Sequence, residues 1–180
     1  MSEFSVTYHM RTKNIKEVEE MILKSGLDGV IIEKNNLWLS FAISEEPENI
    51  HLPNDKIVEN SSGTLIFNVF AEDHGWALYI YEDGKQISKY EQDFDAAYSF
   101  ERYVYLREYN MNALSKIMTG VSKLYLPVIM QISSLLPLGY NMKLSKKVAS
   151  ALNLPAYEWV LYEGDIKKIK EVYKDAYKVK

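Results

Sequence analysis

The amino-acid sequence predicts an α+β fold, an antiparallel sheet packed with C-terminal helices. Three observations predict it. A two-residue apolar period governs most of the first half, and its strand runs follow one another across tight turns. Beyond Asp93 a period near 3.6 takes over. Finally, 180 residues is the size of one domain, so 1–180 reads as a single domain, mainly β with one helix over 1–93 and mainly helical over 94–180.

Phe4, Val6, Tyr8 and Met10 alternate with Ser5, Thr7, His9 and Arg11, which predicts a strand with one buried face. Asn14, with Glu17 three residues on, is an Asn form of the capping box and opens a helix. Ile15, Val18, Met21 and Ile22 form its apolar stripe, and Ser25-Gly26 ends it. The run Val30-Ile31-Ile32 and the run from Leu37 to Ile43 flank Asn35-Asn36. Asn tolerates the positive φ of a tight turn, so this reads as a hairpin. From Ser44 to Gly63 the composition turns to Glu, Asn, Pro and Ser, which predicts a long surface loop.

Thr64 to Gln92 carries the clearest pattern, three strands joined at His74-Gly75 and Asp83-Gly84. With two residues in each turn, Val69 faces Ile80 and Ile80 faces Ile87. One sheet face then collects Phe67, Val69, Ala71, Trp76, Leu78, Ile80 and Ile87. The other carries Phe70, Tyr79, Tyr81 and Tyr90 with Asn68 and Ser88. A helical stripe follows through Phe100, Tyr103 or Val104, Met111, Leu114 and Met118, stopping at Gly120, although Tyr103-Val104-Tyr105 also suits a strand. A short helix is expected from a Ser145 cap to Leu152, ended by Asn153 and Pro155. The last starts near Asp165, with Ile166, Ile169, Tyr173 and Tyr177 on one side and Lys on the other.

Cysteine is absent, which excludes disulfides, Cys-ligated metal and thiol catalysis. The acidic start, Met1-Ser2-Glu3-Phe4, shows no signal peptide, and together these features predict a cytoplasmic protein. Richness in Lys, Asn, Ile and Tyr matches an AT-rich bacterial genome. The charge is split along the chain. Up to Glu101 there are 8 Lys/Arg against 19 Asp/Glu, and from Arg102 onward 13 against 6. Such a split implies a polar partner, or two halves that neutralise each other.

No reactive constellation stands out. His9 falls on the polar face of the first strand, and His51 lies in the acidic loop. His74 follows Glu72 and Asp73 and reads first as a turn residue at positive φ. The spacing supplies no metal motif, no nucleophile elbow and no Gly-rich phosphate cradle, so no cofactor is expected. The Glu45–Glu48 loop lacks the Gly hinge of a cation site. Leu124 to Met142 is uncharged, but Pro127, Gln131, Ser133, Ser134, Pro137 and Asn141 interrupt it, so no membrane association is expected. It reads as a buried helix or a homo-oligomer contact.

Lys167, Lys168, Lys170 and Lys174 offer phosphate contacts, the nucleic-acid alternative. Lys147 to Pro155 resembles the first helix and turn of a helix-turn-helix. Tyr157 to Gly164, where a recognition helix belongs, has two Glu and a Gly without Arg, Asn or Gln, so nucleic acid is disfavoured. Tyrosine is abundant, 14 against 6 Phe. Phe70, Tyr79, Tyr81 and Tyr90 form either a binding face or a second layer of core beneath the helix bearing Tyr98, Tyr105 and Tyr109. The leading expectation is a non-enzymatic binding or regulatory protein that neutralises or regulates a basic protein partner through its acidic sheet half or this tyrosine face. Its rival is a small-ligand protein or enzyme whose Tyr/Trp-lined pocket includes Trp76, with His74, Asp73 or Glu72 at the rim.

Overall fold

The computed structural model describes residues 4–44, 52–71, 74–93, 103–105, 108–136 and 138–179. Strand β1 (Phe4–Met10) is followed by α1 (Ile15–Ser25), the hairpin β2 (Gly29–Lys34) and β3 (Leu39–Ile43), and α2 (Asp55–Asn60). The meander β4 (Thr64–Ala71), β5 (Gly75–Glu82) and β6 (Lys85–Asp93) comes next, then β7 (Tyr103–Tyr105). Helices α3 (Met111–Ile117), α4 (Leu126–Gln131), α5 (Leu138–Leu152) and α6 (Lys167–Val172) precede β8 (Tyr177–Lys178). The fold is α+β. One antiparallel sheet runs in the order β7-β6-β5-β4-β1-β3-β2-β8.

Because β1 is central, both of its faces are covered. Val6, Tyr8 and Met10 enter one core with α1 and α2, where Tyr8 stacks on Phe41 at 5.1 Å. Ser5, Thr7 and His9 are fully buried on the opposite face, which corrects the expectation of one buried face. Their polar atoms find partners there. Thr7 Oγ1 lies 3.0 Å from His9 Nε2, His9 Nδ1 lies 2.7 Å from Ser40 Oγ, and Val160 N–H donates to Ser5 Oγ. The polar half of the alternation is therefore a buried hydrogen-bonded row, as burial of such groups requires. It separates two further apolar clusters. One unites β4–β6 with α3, α4 and α5. The other unites β2 and β3 with the chain from Ala156 to Ala176.

Asn14 caps α1 by accepting from Lys16 N–H, and Gly26 ends it in the left-handed region. Glu17 does not close the capping box. It accepts instead from the Thr12 and Ser62 hydroxyls, tying α1 to the start of β4. The expected loop from Ser44 to Gly63 contains α2, capped by Asn54 and anchored by Ile57 and Val58 in the first core. Asp83-Gly84 makes the two-residue turn predicted, with Glu82 facing Lys85.

The β4–β5 turn differs from expectation. Ala71 faces Gly75, so three residues connect the strands, and the positive φ falls on Gly75 rather than His74. A Cβ on Gly75 would lie 2.3 Å from the Gln92 carbonyl oxygen, so only glycine lets β5 approach β6 here. The change in register is odd and exchanges the faces of β5. Val69 faces Ala77, and Ile66 faces Ile80. Ile80 pairs with Ser88, leaving Ile87 in a bulge rather than opposite Ile80.

The second half is less helical than expected. Tyr103–Tyr105 pairs with β6 as a strand, and α3 starts only at its Asn110 cap. Helix α5 begins seven residues before Ser145, whose buried hydroxyl has no partner among the described residues and does not cap the helix. Helix α6 stops at Val172. Tyr177 belongs to β8, pairing with Ile31, because the apolar edge of β2 offers it a partner.

Candidate functional site

A concave surface lies on the α1/α2 side of the sheet, beyond the part those helices cover. Phe4, Val69, Ala71 and Ala77 form the floor of a cleft of about 550 Å³, and Glu91, Gln92 and Asp93 of β6 supply its polar wall. His74 stands exposed at its mouth and Trp76 contributes to its edge. No Lys or Arg is among its described lining residues.

Glu91 is held firmly. It accepts from the Tyr79 hydroxyl, and Lys89 Nζ lies 3.2 Å from its other oxygen and 5.1 Å from the Tyr79 ring centre. Burial, then the bond to Glu91, pushes the Tyr79 hydroxyl well above the usual tyrosine range, so it is a fixed donor. Trp76 Nε1–H donates to Gln92 Oε1 at 2.9 Å, which leaves buried Gln92 Nε2 without a partner among the described residues.

A second cleft of about 750 Å³ lies on the same side, lined by Leu52, Asn54, Asp55, Tyr79, Tyr81 and Gln86 among others. Tyr79 and Glu91 form the partition between the two. Burial, with Asp55 and Glu108 nearby, pushes the Tyr81 hydroxyl up as well.

The tyrosine face expected from the sequence does not exist as one surface. Tyr79 and Tyr81 join the core with α1 and α2, whereas Phe70, Trp76 and Tyr90 join the cluster under α3–α5. All five are buried. Tyr90 packs edge-on against Tyr109 and shares a 2.6 Å hydrogen bond with Ser133 Oγ, so these rings are core. Glu72, Asp73, His51, Tyr98 and the Glu45–Glu48 loop lie outside the described residues. No cluster of metal-ligating side chains occurs among the described residues.

The lysines proposed for nucleic acid do not form one face. Lys168 reaches Glu163 at 3.3 Å, and Lys170 lines a shallow cleft with Glu19 and Glu20. Only Lys167, Lys168 and Lys170 lie on α6; Lys174 follows its end.

The charge split along the chain is kept in space only in part, because Lys170 and Lys178 of the second half share a cleft with Glu19 and Glu20 of α1. Helices α1 and α2 carry Glu17, Glu19, Glu20, Asp55 and Glu59 against Lys16, Lys24 and Lys56, while on the opposite face α3 and α5 carry Lys and no acid and α4 is uncharged. Lys178 to Asp28 at 2.7 Å joins the two halves, whereas Lys24 with Glu20, Lys89 with Glu91, Lys146 with Glu158 and Lys168 with Glu163 each pair within one.

Compared with models of known families, with curated proteins and with solved structures, the chain matches none.

The cleft wall was hidden in the sequence because Glu91 and Gln92 read as ordinary alternation on an edge-ward strand. Only the three-residue turn, which sets the face of β5 against β4, brings Ala77 beside Val69 and Ala71 as a common floor.

Proposed function

We propose that the chain is a non-catalytic binding protein that takes a basic protein partner on the acidic side of its sheet. The observation that carries this reading is the cleft, with an apolar floor and a wall bearing Glu91 and Asp93. A Lys or Arg side chain of a partner suits that shape. Its aliphatic stem covers Val69, Ala71 and Ala77 while its head meets carboxylate. The segregation of acidic helices onto the same side adds long-range attraction. Partner capture with the wild type and with E91Q/D93N tests it. The expected result is a basic protein retained at low salt and lost both at high salt and with the variant. An unchanged set of captured proteins overturns it.

The cleft volume favours a second reading, a small cationic ligand in place of a partner's side chain, since it falls within the roughly 300–1,000 Å³ of ligand sites. Titration with arginine and spermidine, read by thermal shift, separates the two. Stabilisation lost in E91Q/D93N supports the small ligand, and none at millimolar concentration removes it.

A further inference from the structure

One surface stands apart from the clefts. Val121, Leu124, Tyr125, Val128, Ile132 and Leu135 recur at helical spacing along a 3₁₀ turn (Val121–Leu124), α4 and a second 3₁₀ turn (Ser133–Leu135). All six are exposed. Leu135 is 83% exposed, Val121 73% and Leu124 72%. Together they present roughly 600 Å², at the top of the range for the largest apolar patch of an ordinary monomer.

The inner side of the same segment is apolar too. Leu126 and Met130 are buried in the cluster with α3 and α5, and the Tyr109 hydroxyl donates to the Pro127 carbonyl at 2.7 Å. The ridge is therefore fixed to the body. Its backbone is also largely satisfied from within: Ile129 N–H donates to Tyr125 O, Ile132 to Val128 O, Leu135 to Ile132 O and Leu136 to Ser133 O. Such a segment can enter an apolar phase without stranding many polar groups.

Charge chooses the occupant. Between Glu108 and Glu158 the sequence has no acidic residue, while Lys116, Lys123, Lys143, Lys146 and Lys147 all fall in that span. Lys146 turns back to Glu158 at 2.8 Å; Lys116, Lys123, Lys143 and Lys147 are exposed. We propose that this ridge docks on the surface of an anionic lipid bilayer, its aliphatic crest entering the headgroup boundary and its lysines meeting lipid phosphate.

Apolar residues flanked by lysine, with a tyrosine between them, are the composition of an interfacial segment. The ridge lines none of the three clefts described above, and a bilayer asks for no concave socket. A second copy paired through the same ridge would set lysines against lysines, which opposes an isologous contact. No helix among the described residues is long and apolar enough to cross a membrane, but lying along one asks for neither that length nor continuity.

Co-sedimentation tests this with vesicles of phosphatidylcholine alone and with a third of phosphatidylglycerol. The full chain is expected to bind the anionic vesicles at least about tenfold more tightly than the neutral ones. L124E/L135E is expected to bind them at least about tenfold more weakly, with an unchanged circular dichroism spectrum, since both side chains are exposed. K123E keeps the crest and is expected to lose part of the preference for anionic lipid. Absence of binding to either vesicle overturns the proposal, as does equal binding to both. Sedimentation velocity showing a wild-type dimer that L124E/L135E dissolves, with vesicles inert, assigns the ridge to a second copy. Binding confined to a soluble acidic protein assigns it to that protein; either outcome overturns lipid docking.

Discussion

His9 provides a pH-dependent stability that can be worked from the structure. The ring is fully buried, and the hydroxyls of Thr7 and Ser40 flank it. Neither brings a negative charge, and burial pulls the imidazole down from 6.5 to about 3. The folded protein therefore keeps His9 neutral where the unfolded chain protonates it. Stability from this residue is complete above pH 6.5 and falls as the pH drops from there towards 3, because the unfolded state binds the extra proton. Each pH unit in that window costs about 1.4 kcal/mol, so the two units between 6.5 and 4.5 cost about 2.7 kcal/mol. His9→Gln keeps a hydrogen-bonding side chain that does not titrate. Urea denaturation of both proteins at pH 7 and 4.5 isolates the effect, because every other titrating group is common to the two. The wild type should lose about 2–3 kcal/mol more than H9Q on acidification. Equal losses would refute the assignment of a neutral, buried imidazole.

Two further substitutions probe the frame. Gly75→Ala drives a methyl group to within 2.3 Å of the Gln92 carbonyl oxygen, so β5 and β6 must part; a loss of about 2–4 kcal/mol is expected in thermal or urea melts. Trp38→Phe removes the 2.7 Å bond from indole Nε1–H to the Leu152 carbonyl and leaves that buried oxygen unmet, costing about 1–3 kcal/mol in the same melts.

The elements most legible in the sequence were those whose signals are local. Asn14 and Gly26 bound α1, and Asp83-Gly84 makes a two-residue turn, because caps and turns depend on a few neighbouring residues. Strand β1 was found but its environment was not. Alternation of Tyr8 with His9 looks the same whether the polar face meets water or meets Ser40 and Val160 from distant parts of the chain. Register failed at His74 because one residue more or less in a turn inverts a strand while leaving its alternation intact. That error split the tyrosine set and concealed the cleft floor. Helix α6 was overextended because Tyr177 satisfies a helical stripe and a strand equally, and only the free edge of β2 decides between them. The uncharged run from Leu124 to Met142 was legible as a buried helix or a homo-oligomer contact; that its outward residues stay uncovered depends on which side α4 turns to the body.

The sheet closes at each side with a very short strand, three residues of β7 and two of β8. Lateral growth by strand addition needs a run of free amides and carbonyls, and strands of two or three residues offer few of their own. Should the Tyr177-Lys178 pairing peel away, Val30 and Ile31 would be left with bare backbone beside a strongly apolar strand. A two-residue clasp thus covers this border, and loosening it would turn the edge of β2 adhesive.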